Sequence, residues 1–187
     1  EAGLVGMGGA AFPGDVKALS AMGHIEYLIA NACECEPYIT ADDGLLRTSP
    51  EQVLKGMQLL ARVLKPDHVV LAVEDNKQEA IMNLRGLIKK YPGIELRILP
   101  TRYPQGSEKQ LIQSVTRREV PPGQLPVSVG CAVFNVSTYA AIYRAVRLGM
   151  PLIQRIVTIS GEAIAEPQNF IVRIGTPFHD LVEAAGG

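Results

Sequence analysis

The sequence predicts an α/β fold: a mostly parallel sheet with flanking helices, followed by the start of a small β-grasp-like module. Apolar runs alternate with helical patterns of about 10 to 15 residues as far as residue 150, which is typical of right-handed βαβ crossovers. Beyond that point, two strand-like runs follow each other with no helical pattern between them. Polar or glycine-rich loops follow successive strands, as they do where α/β sheets bind ligands.

Hydrophobic periodicity predicts the elements in chain order. A short helical segment follows the first glycine-rich loop, and an apolar strand follows at residues 27–30. Ser49 and Pro50 suit the N-cap and first turn of the next helix, whose apolar residues share one face. The remaining strands are expected at 67–73, 94–99 and 129–134, and the main helices at 51–64, 77–91, 107–117 and 137–148.

The last part of the chain predicts two strands, at 155–161 and 169–176, and a helix from 177 to 185. Two strands followed by a helix suit the beginning of a β-grasp-like module. We therefore expect one domain over residues 1–152 and the beginning of a second over 153–187. Because the chain starts at Glu1 without Met or a signal pattern, and ends on two glycines, we expect a boundary at both ends.

Composition and charge exclude several classes of protein. The 187 residues are 47% hydrophobic and 20% charged, with a formal net charge of −1. This is ordinary globular composition, without the basic footprint of a nucleic-acid-binding protein. No apolar run reaches the roughly 18 residues that a membrane span needs, so we expect no direct membrane insertion.

The three cysteines predict a reducing compartment and no metal site within this chain. Cys33 and Cys35 are too close in sequence for an easy disulfide, and Cys131 lies in an apolar run typical of a small buried side chain. Three thiols cannot supply the four ligands of a cubane iron–sulfur cluster.

The glycine-rich loop at residues 6–14 is the first candidate ligand site. Glycines let a phosphate or a flat ring approach the backbone closely. The loop lacks the spacing of a dinucleotide fingerprint and the Lys-Ser/Thr of a phosphate-binding P-loop, so alone it indicates a turn as readily as a ligand cradle. Lys17, in the following helix, either reaches back to an anion or an electron-rich ring, or is an ordinary solvated lysine.

The segment 31–37 places one Asn, two Cys and two Glu within six residues, just past a predicted strand. Three interpretations remain open: a metal site, although no His is near; a redox pair, although Cys-x-x-Cys is the usual form; or hydrogen bonding of a ligand by Asn31 and the carboxylates.

Further polar loops follow three other strands, at residues 74–76, 103–109 and 135–138, and the last two open helices whose N-termini favour anions. Each alone indicates a cap or a turn. Together, at the carboxyl ends of parallel strands, they predict one crevice. His24, His68 and His179 are scattered, so hydrolytic catalysis is poorly supported.

Four motifs in this order resemble a known family. They are Gly-x-Gly-Gly-Ala-Ala-Phe-Pro at 6–13, Asn-Ala-x-Glu-x-Glu-Pro at 31–37, Tyr-x-x-Gly-x-Glu at 103–108 and Asn-Val-x-Thr at 135–138. This order is similar to the FMN- and NADH-binding subunit of respiratory complex I, and more closely to the C subunit of the Rnf electron-transport complex, in the stretches CECEPYITADD, EDNK, YPQGSEKQLI, REVP and FNVST. Residues 157–177 resemble the start of its SLBB (soluble-ligand-binding β-grasp) domain, so the resemblance covers nearly the whole chain.

The resemblance implies a Rossmann-like sheet and a set of cofactor contacts. Phe12 would stack on the nicotinamide dinucleotide, and Glu36 and Glu108 would bond NADH. The chain departs from the family pattern at Ala11, Ser107 and Cys33, which bears on NADH more than on flavin. The residues implied for FMN are Gly6, Gly8, Gly9, Lys17, Asn31, Tyr103, Gly106, Ser107, Asn135 and Thr138.

The resemblance also implies an activity and its setting. As an NADH:acceptor oxidoreductase subunit, the protein would take hydride from NADH on FMN and pass single electrons to two 4Fe-4S clusters that lie on a downstream segment. Its partners would be the other subunits of an ion-translocating complex and ferredoxin, with a peripheral location on the cytoplasmic side of the membrane. The alternatives are a soluble relative such as a corrinoid or selenoenzyme-associated reductase, and a scaffold that has lost cofactor binding.

Overall fold

A four-stranded parallel sheet forms the centre of the molecule, as predicted. The computed structural model describes residues 2–187. The strand order is β3-β2-β1-β4, so β1 pairs with β2 on one side and with β4 on the other. The strands are β1 (Tyr27–Ala32), β2 (His68–Glu74), β3 (Ile94–Leu99) and β4 (Cys131–Asn135).

The sheet is covered on both faces, which is why its strands are continuous apolar runs in the sequence. Leu28 and Ala30 of β1 pack in one cluster, together with Met57 and Tyr139 of the helices on that face. Ile29 points to the opposite face and packs in a second cluster with Leu111. The helices of this layer are α1 (Gly14–Ala21), α2 (Ala41–Thr48), α3 (Pro50–Leu64), α4 (Gln78–Leu87), α5 (Glu108–Thr116) and α6 (Val136–Leu148).

Most predicted elements are present with ends shifted by one or two residues. The helix predicted over 77–91 is divided, because α4 ends at Leu87 and a 3₁₀ turn follows over Ile88–Lys90. Helix α2 lies in a segment for which the sequence predicted no element. Its N-cap residue, Thr40, makes no side-chain cap hydrogen bond, although a threonine followed by two aspartates in the first turn is a sequence pattern for a helix start.

The strand-strand-helix pattern predicted for the C-terminal part is confirmed. Strands β5 (Gln154–Ile159) and β6 (Gln168–Arg173) form an antiparallel hairpin, and α7 (Phe178–Ala184) follows. The hairpin contacts the start of α2: Thr40 N donates to Thr158 Oγ1 at 3.1 Å, and Asn169 Nδ2 donates to Thr40 O at 2.9 Å. No helix within residues 2–187 has the length and apolar character of a membrane span.

Helices α3 and α6 pack closely because α3 carries a glycine at their contact. A Cβ added to Gly56 would lie 1.9 Å from the backbone oxygen of Tyr139, which no rotamer change can relieve. Tyr139 is fully buried and its hydroxyl donates to Ile29 O in the central strand at 3.3 Å. The absence of a side chain at Gly56 therefore sets the distance between two helices that cover the sheet.

We expect Gly56→Ala to lower the free energy of unfolding by about 2–3 kcal/mol, because the added methyl group overpacks a backbone contact. The matched control is Gly86→Ala in α4, where an added Cβ meets nothing within 4 Å. The control should stabilise the protein by about 0.5–1 kcal/mol, since alanine favours a helix interior. Urea unfolding of both variants checks this, and equal stabilities would contradict it.

Candidate cofactor site

A cavity of about 920 Å³ opens at the carboxyl edge of the sheet. It lies where the chain reverses direction across the sheet, since β2 and β3 are added on one side of β1 and β4 on the other. Such switch points are where open α/β sheets bind ligands. The structure brings all the predicted FMN and NADH residues onto the wall of this one cavity: Gly6, Gly8, Gly9, Phe12, Lys17, Asn31, Glu36, Tyr103, Gly106, Ser107, Glu108, Asn135 and Thr138.

The glycine-rich loop forms one wall and is attached to the first turn of α6. Met7 N donates to Thr138 Oγ1 at 3.0 Å, across 131 residues of sequence. A Cβ on Gly8 would lie 3.4 Å from Cβ of Asn135, so this wall also packs against the N-cap of α6. Gly9 adopts φ +106, a conformation that side chains disfavour, and no heavy atom lies within 4 Å of its Cβ position. The loop is therefore held in place while its Gly9 turn stays open to the cavity.

Asn31 lies inside β1 and not in the loop where the sequence placed it. Its Nδ2 donates to Gly106 O at 2.9 Å, and its Oδ1 accepts from Cys33 N at 2.9 Å. A Cβ on Gly106 would lie 2.1 Å from Cys33 O, so only glycine allows this approach. Asn31 thus attaches the loop that carries Tyr103 and Ser107 to the end of the central strand, and keeps one amide proton for a ligand.

Glu34 stabilises α2. Its carboxylate accepts from Asp42 N at 3.0 Å and from Asp43 N at 3.3 Å, which are the free amides at the start of that helix. Both carboxylate oxygens of Glu34 are therefore engaged within the protein, although the third interpretation of segment 31–37 assigned this carboxylate to a ligand. The Cys33 side chain is buried. Its Sγ lies 3.9 Å from Ala72 O, and burial raises the pKa of the thiol well above its usual range.

Cys35 lines the cavity, and all three cysteines are free thiols. Cys131 is buried, as predicted. Nowhere in residues 2–187 do three His, Cys, Asp or Glu side chains come together as a metal site.

The loop after β2 lies outside the main cavity, contrary to the prediction of a single crevice. Glu74 is the last residue of β2 and is fully buried, with both carboxylate oxygens lacking a hydrogen-bond partner within the described chain. Burial raises the pKa of its carboxyl. Glu74, Asn76 and Lys77 line a second, adjacent cavity of about 420 Å³.

Lys17 is part of an ion pair. Its Nζ lies 2.6 Å from Glu108 Oε1, at the first turn of α5, and 5.3 Å from the centre of the Phe134 ring. This contact places a fixed positive charge inside the cavity and links α1 to α5. It also shows that Glu108 and Lys17, predicted for different ligands, lie side by side.

Several residues that line the cavity are exposed to solvent and lie at its rim. Phe12 is 47% exposed and Tyr103 is 71% exposed, and Glu36 also faces solvent. Ala11, where the family pattern has glycine, adopts φ +49, at a cost of roughly 1 kcal/mol for a residue with a Cβ. The residue next to Phe12 is therefore a strained left-handed alanine.

Asp42 is a site residue that was not singled out from the sequence. Its Oδ2 accepts from Asn135 Nδ2 at 2.5 Å and its Oδ1 accepts from Ser137 Oγ at 2.9 Å. Burial, with a smaller contribution from the Glu34 charge, raises the pKa of Asp42 to about 6, against the opposing effect of these hydrogen bonds. Arg155 of β5 also lines the cavity and was missed. The signal for Asp42 was present, because the stretch that resembles the family runs through it.

Comparison with known proteins identifies the class of fold and site. The family model described as the Nuo51 FMN-binding domain matches residues 1–144, and the SLBB domain model matches residues 156–187. The chain belongs to the Nuo51 FMN-binding domain family.

Individual relatives show which kind of subunit within this family the chain is similar to. The C subunit of the ion-translocating oxidoreductase complex of Serratia proteamaculans is 46% identical over 100% of this chain, and that of Pasteurella multocida is 45% identical over 98%. The chain spans 26% and 22% of these relatives, about a quarter of their length. The predicted resemblance to the Rnf C subunit and the complex I flavin subunit is confirmed.

The fold also matches a solved structure. The crystal structure of NAD+-reducing [NiFe]-hydrogenase in the air-oxidized state aligns with a TM-score of 0.85 at 28% identity, covering 98% of this chain and 37% of that one. That solved structure thus shares the parallel sheet, the flanking helices and the hairpin that follows them.

We expect the raised pKa of Asp42 to produce a pH dependence of stability. A carboxyl that titrates near 6 when folded and near 3.8 when unfolded stabilises the fold fully below pH 3.8, and this is lost as pH rises through 6. Relative to Asp42→Asn, the wild type should lose roughly 2 kcal/mol of unfolding free energy between pH 4 and pH 7. Urea unfolding across this range measures it.

The control is Asp67→Asn, which removes an exposed carboxylate before β2. It should leave the pH profile parallel to that of the wild type. Parallel profiles for Asp42→Asn and the wild type would show that Asp42 does not titrate in this range.

Proposed function

We propose that this chain is the FMN- and NADH-binding module of an oxidoreductase complex subunit, through which electrons pass from NADH to iron–sulfur clusters outside residues 1–187. The observation that carries the proposal is the cavity at the switch point of the sheet, which is lined by every residue that the family resemblance implies for FMN or NADH. Membership of the FMN-binding family supports the choice of flavin.

The cavity fits a flavin nucleotide in size and chemistry. Its volume of about 920 Å³ lies within the range of about 300–1,000 Å³ for sites that enclose one such ligand. Gly6, Gly8 and Gly9 form a wall without side chains, against which a flat ring can lie. The residues that would hold FMN are Gly6, Gly8, Gly9, Lys17, Asn31, Tyr103, Gly106, Ser107, Asn135 and Thr138.

When bound, FMN supplies hydride acceptance from NADH and one-electron release. The protein itself would orient the cofactor and NADH and would supply charge around them. The Lys17 ammonium, fixed by Glu108, favours an electron-rich ring inside the cavity. Phe12, Glu36 and Glu108 lie where a dinucleotide enters from solvent, with Phe12 offering an exposed aromatic face for stacking. No side chain is required as a general acid or base.

We further propose how the chain is divided into domains and where in the cell it acts. Residues 1–152 would be the cofactor domain and 153–187 the beginning of the SLBB domain. The names of the curated relatives support a place in an ion-translocating complex, peripheral on the cytoplasmic side of a membrane, with the other subunits and ferredoxin as partners. The two 4Fe-4S clusters would belong to the part of the subunit outside this chain.

FMN binding is tested with a pair of glycine variants. Gly9 and Gly23 both have positive φ and open space at their Cβ positions, but only Gly9 lines the cavity. Valine at either site should cost similar stability, about 1–2 kcal/mol, from backbone strain. We expect Gly9→Val to weaken FMN binding about tenfold or more, since its side chain occupies the flavin wall.

Absorbance titration of the purified protein with FMN, alongside thermal unfolding, measures both effects. Gly23→Val should bind FMN as the wild type does. Wild-type protein that is folded but binds no FMN would overturn the proposal and leave the scaffold alternative.

The NADH contact is tested by Phe12→Ala. Loss of an aromatic stacking partner should raise the NADH concentration needed for half-maximal flavin bleaching by about 10- to 100-fold, with FMN retained. Phe178→Ala removes a more exposed aromatic, at 77%, outside the cavity and should change nothing. Stopped-flow absorbance under anaerobic conditions follows the bleaching. If Phe12→Ala and Phe178→Ala behave alike, the dinucleotide does not stack on Phe12.

A further inference from the structure

We propose that Arg155, supplied by the C-terminal hairpin, binds the phosphate group of the flavin nucleotide. The inference rests on the FMN binding proposed above and extends it to the hairpin. Arg155 lies on β5 and lines the cavity, together with its neighbour Ile156. The remaining cavity residues come from the cofactor domain, so Arg155 and Ile156 are the hairpin's contribution to the site.

The position of Arg155 is fixed by the contacts that attach the hairpin to α2. Thr40, immediately before α2, donates to Thr158 of β5 and accepts from Asn169 of β6. A Cβ on Gly44 would lie 3.0 Å from Asn169 Nδ2, so the hairpin rests closely on this helix. These contacts lie only three residues along β5 from Arg155, which places its backbone rigidly at the cavity edge.

Arg155 lies at the end of the cavity where α6 begins. Asp42 is hydrogen-bonded to Asn135 and Ser137, the cap and first turn of α6. Arg155 lines the same cavity as Asp42, Asn135 and Ser137, and its positive charge lowers the pKa of Asp42, partly offsetting burial. Next to this point, the glycine-rich loop is attached to Thr138. The loop, the start of α6 and Arg155 therefore meet at one end of the cavity.

The balance of positive and negative side chains along the cavity wall explains why a phosphate would need Arg155. Among the described lining residues, two are cationic and four are acidic: Lys17 and Arg155, against Glu34, Glu36, Asp42 and Glu108. The Lys17 ammonium is already paired with the Glu108 carboxylate, at 2.6 Å. Arg155 forms no ion pair within residues 2–187. A dianionic phosphate would otherwise enter an acidic cavity.

The chemistry of the guanidinium suits this role. Arginine presents several N–H donors in a planar fork that matches two phosphate oxygens, and it stays charged at all relevant pH values. The backbone amides of the loop and of α6 add donors but no full charge. A ligand that lacks the phosphate would lose only this contact, and would still fit the ring-binding wall.

The test compares FMN with riboflavin, which has the same ring system and no phosphate. Dissociation constants are measured by fluorescence titration for the wild type, Arg155→Gln, Arg155→Lys and a control, Arg173→Gln. Arg173 lies on the partner strand β6, is exposed, and does not line the cavity. Circular dichroism and thermal unfolding confirm that each variant is folded.

We expect Arg155→Gln to weaken FMN binding about 10- to 100-fold and to leave riboflavin binding within about twofold of the wild type. Arg155→Lys should restore part of the FMN affinity, and Arg173→Gln should change neither ligand. The FMN preference of the wild type should also shrink as salt is raised, since a charge contact is screened.

Two results would overturn the inference while the proposed function stands: an unchanged FMN affinity in Arg155→Gln, or an equal loss for FMN and riboflavin. Wild-type protein that binds neither flavin would refute the proposed function itself, and this inference with it.

Discussion

Strand β1 pairs with β2 on one side and with β4 on the other, and this arrangement positions both the sheet and the cavity. Because the chain leaves β1 for both edges of the sheet, the connections separate at its carboxyl end and leave space there. Asn31 and Asn135 are paired in register at this end, so two polar strand residues face the same opening. The apolar clusters on both faces hold the strands rigidly, and the site rests on them.

The short helix α2 connects the three parts of the molecule that meet at the cavity. Glu34, from the segment after β1, stabilises the start of α2, and Asp42 of α2 in turn holds Asn135 and Ser137 at the start of α6. Thr40 attaches the hairpin to the same point. Burying the Asp42 carboxyl is costly, and its hydrogen bonds recover part of that cost. A polar network of this kind trades stability for a defined geometry around the cavity.

The order and type of the main elements could be predicted from the sequence because each buried element carries its own periodicity. Helix α3 and strand β3 are clear examples, since their apolar spacing is local and unambiguous. Helix α2 was not predicted, because its eight residues with Gly44 inside form only a short, weak helical pattern, and the Glu34 carboxylate that binds its first amides comes from outside the helix. The strand character of Asn31 was missed for a related reason: a polar residue ends an apolar run, yet the ladder continues through it to Ala32.

The layer architecture, the hairpin that follows it and the residues of the four motifs could all be predicted from local patterns in the sequence. The contacts of those side chains emerge only in the folded molecule: Asn31 Nδ2 donates to Gly106 O, 75 residues away, and Asn135 Nδ2 donates to Asp42, 93 residues away. The tertiary structure alone brings Arg155 of the hairpin to the cavity. The physical reason is that periodicity reports which side of an element is buried, whereas hydrogen-bond partners and charge balance depend on elements that meet only after the sheet has assembled.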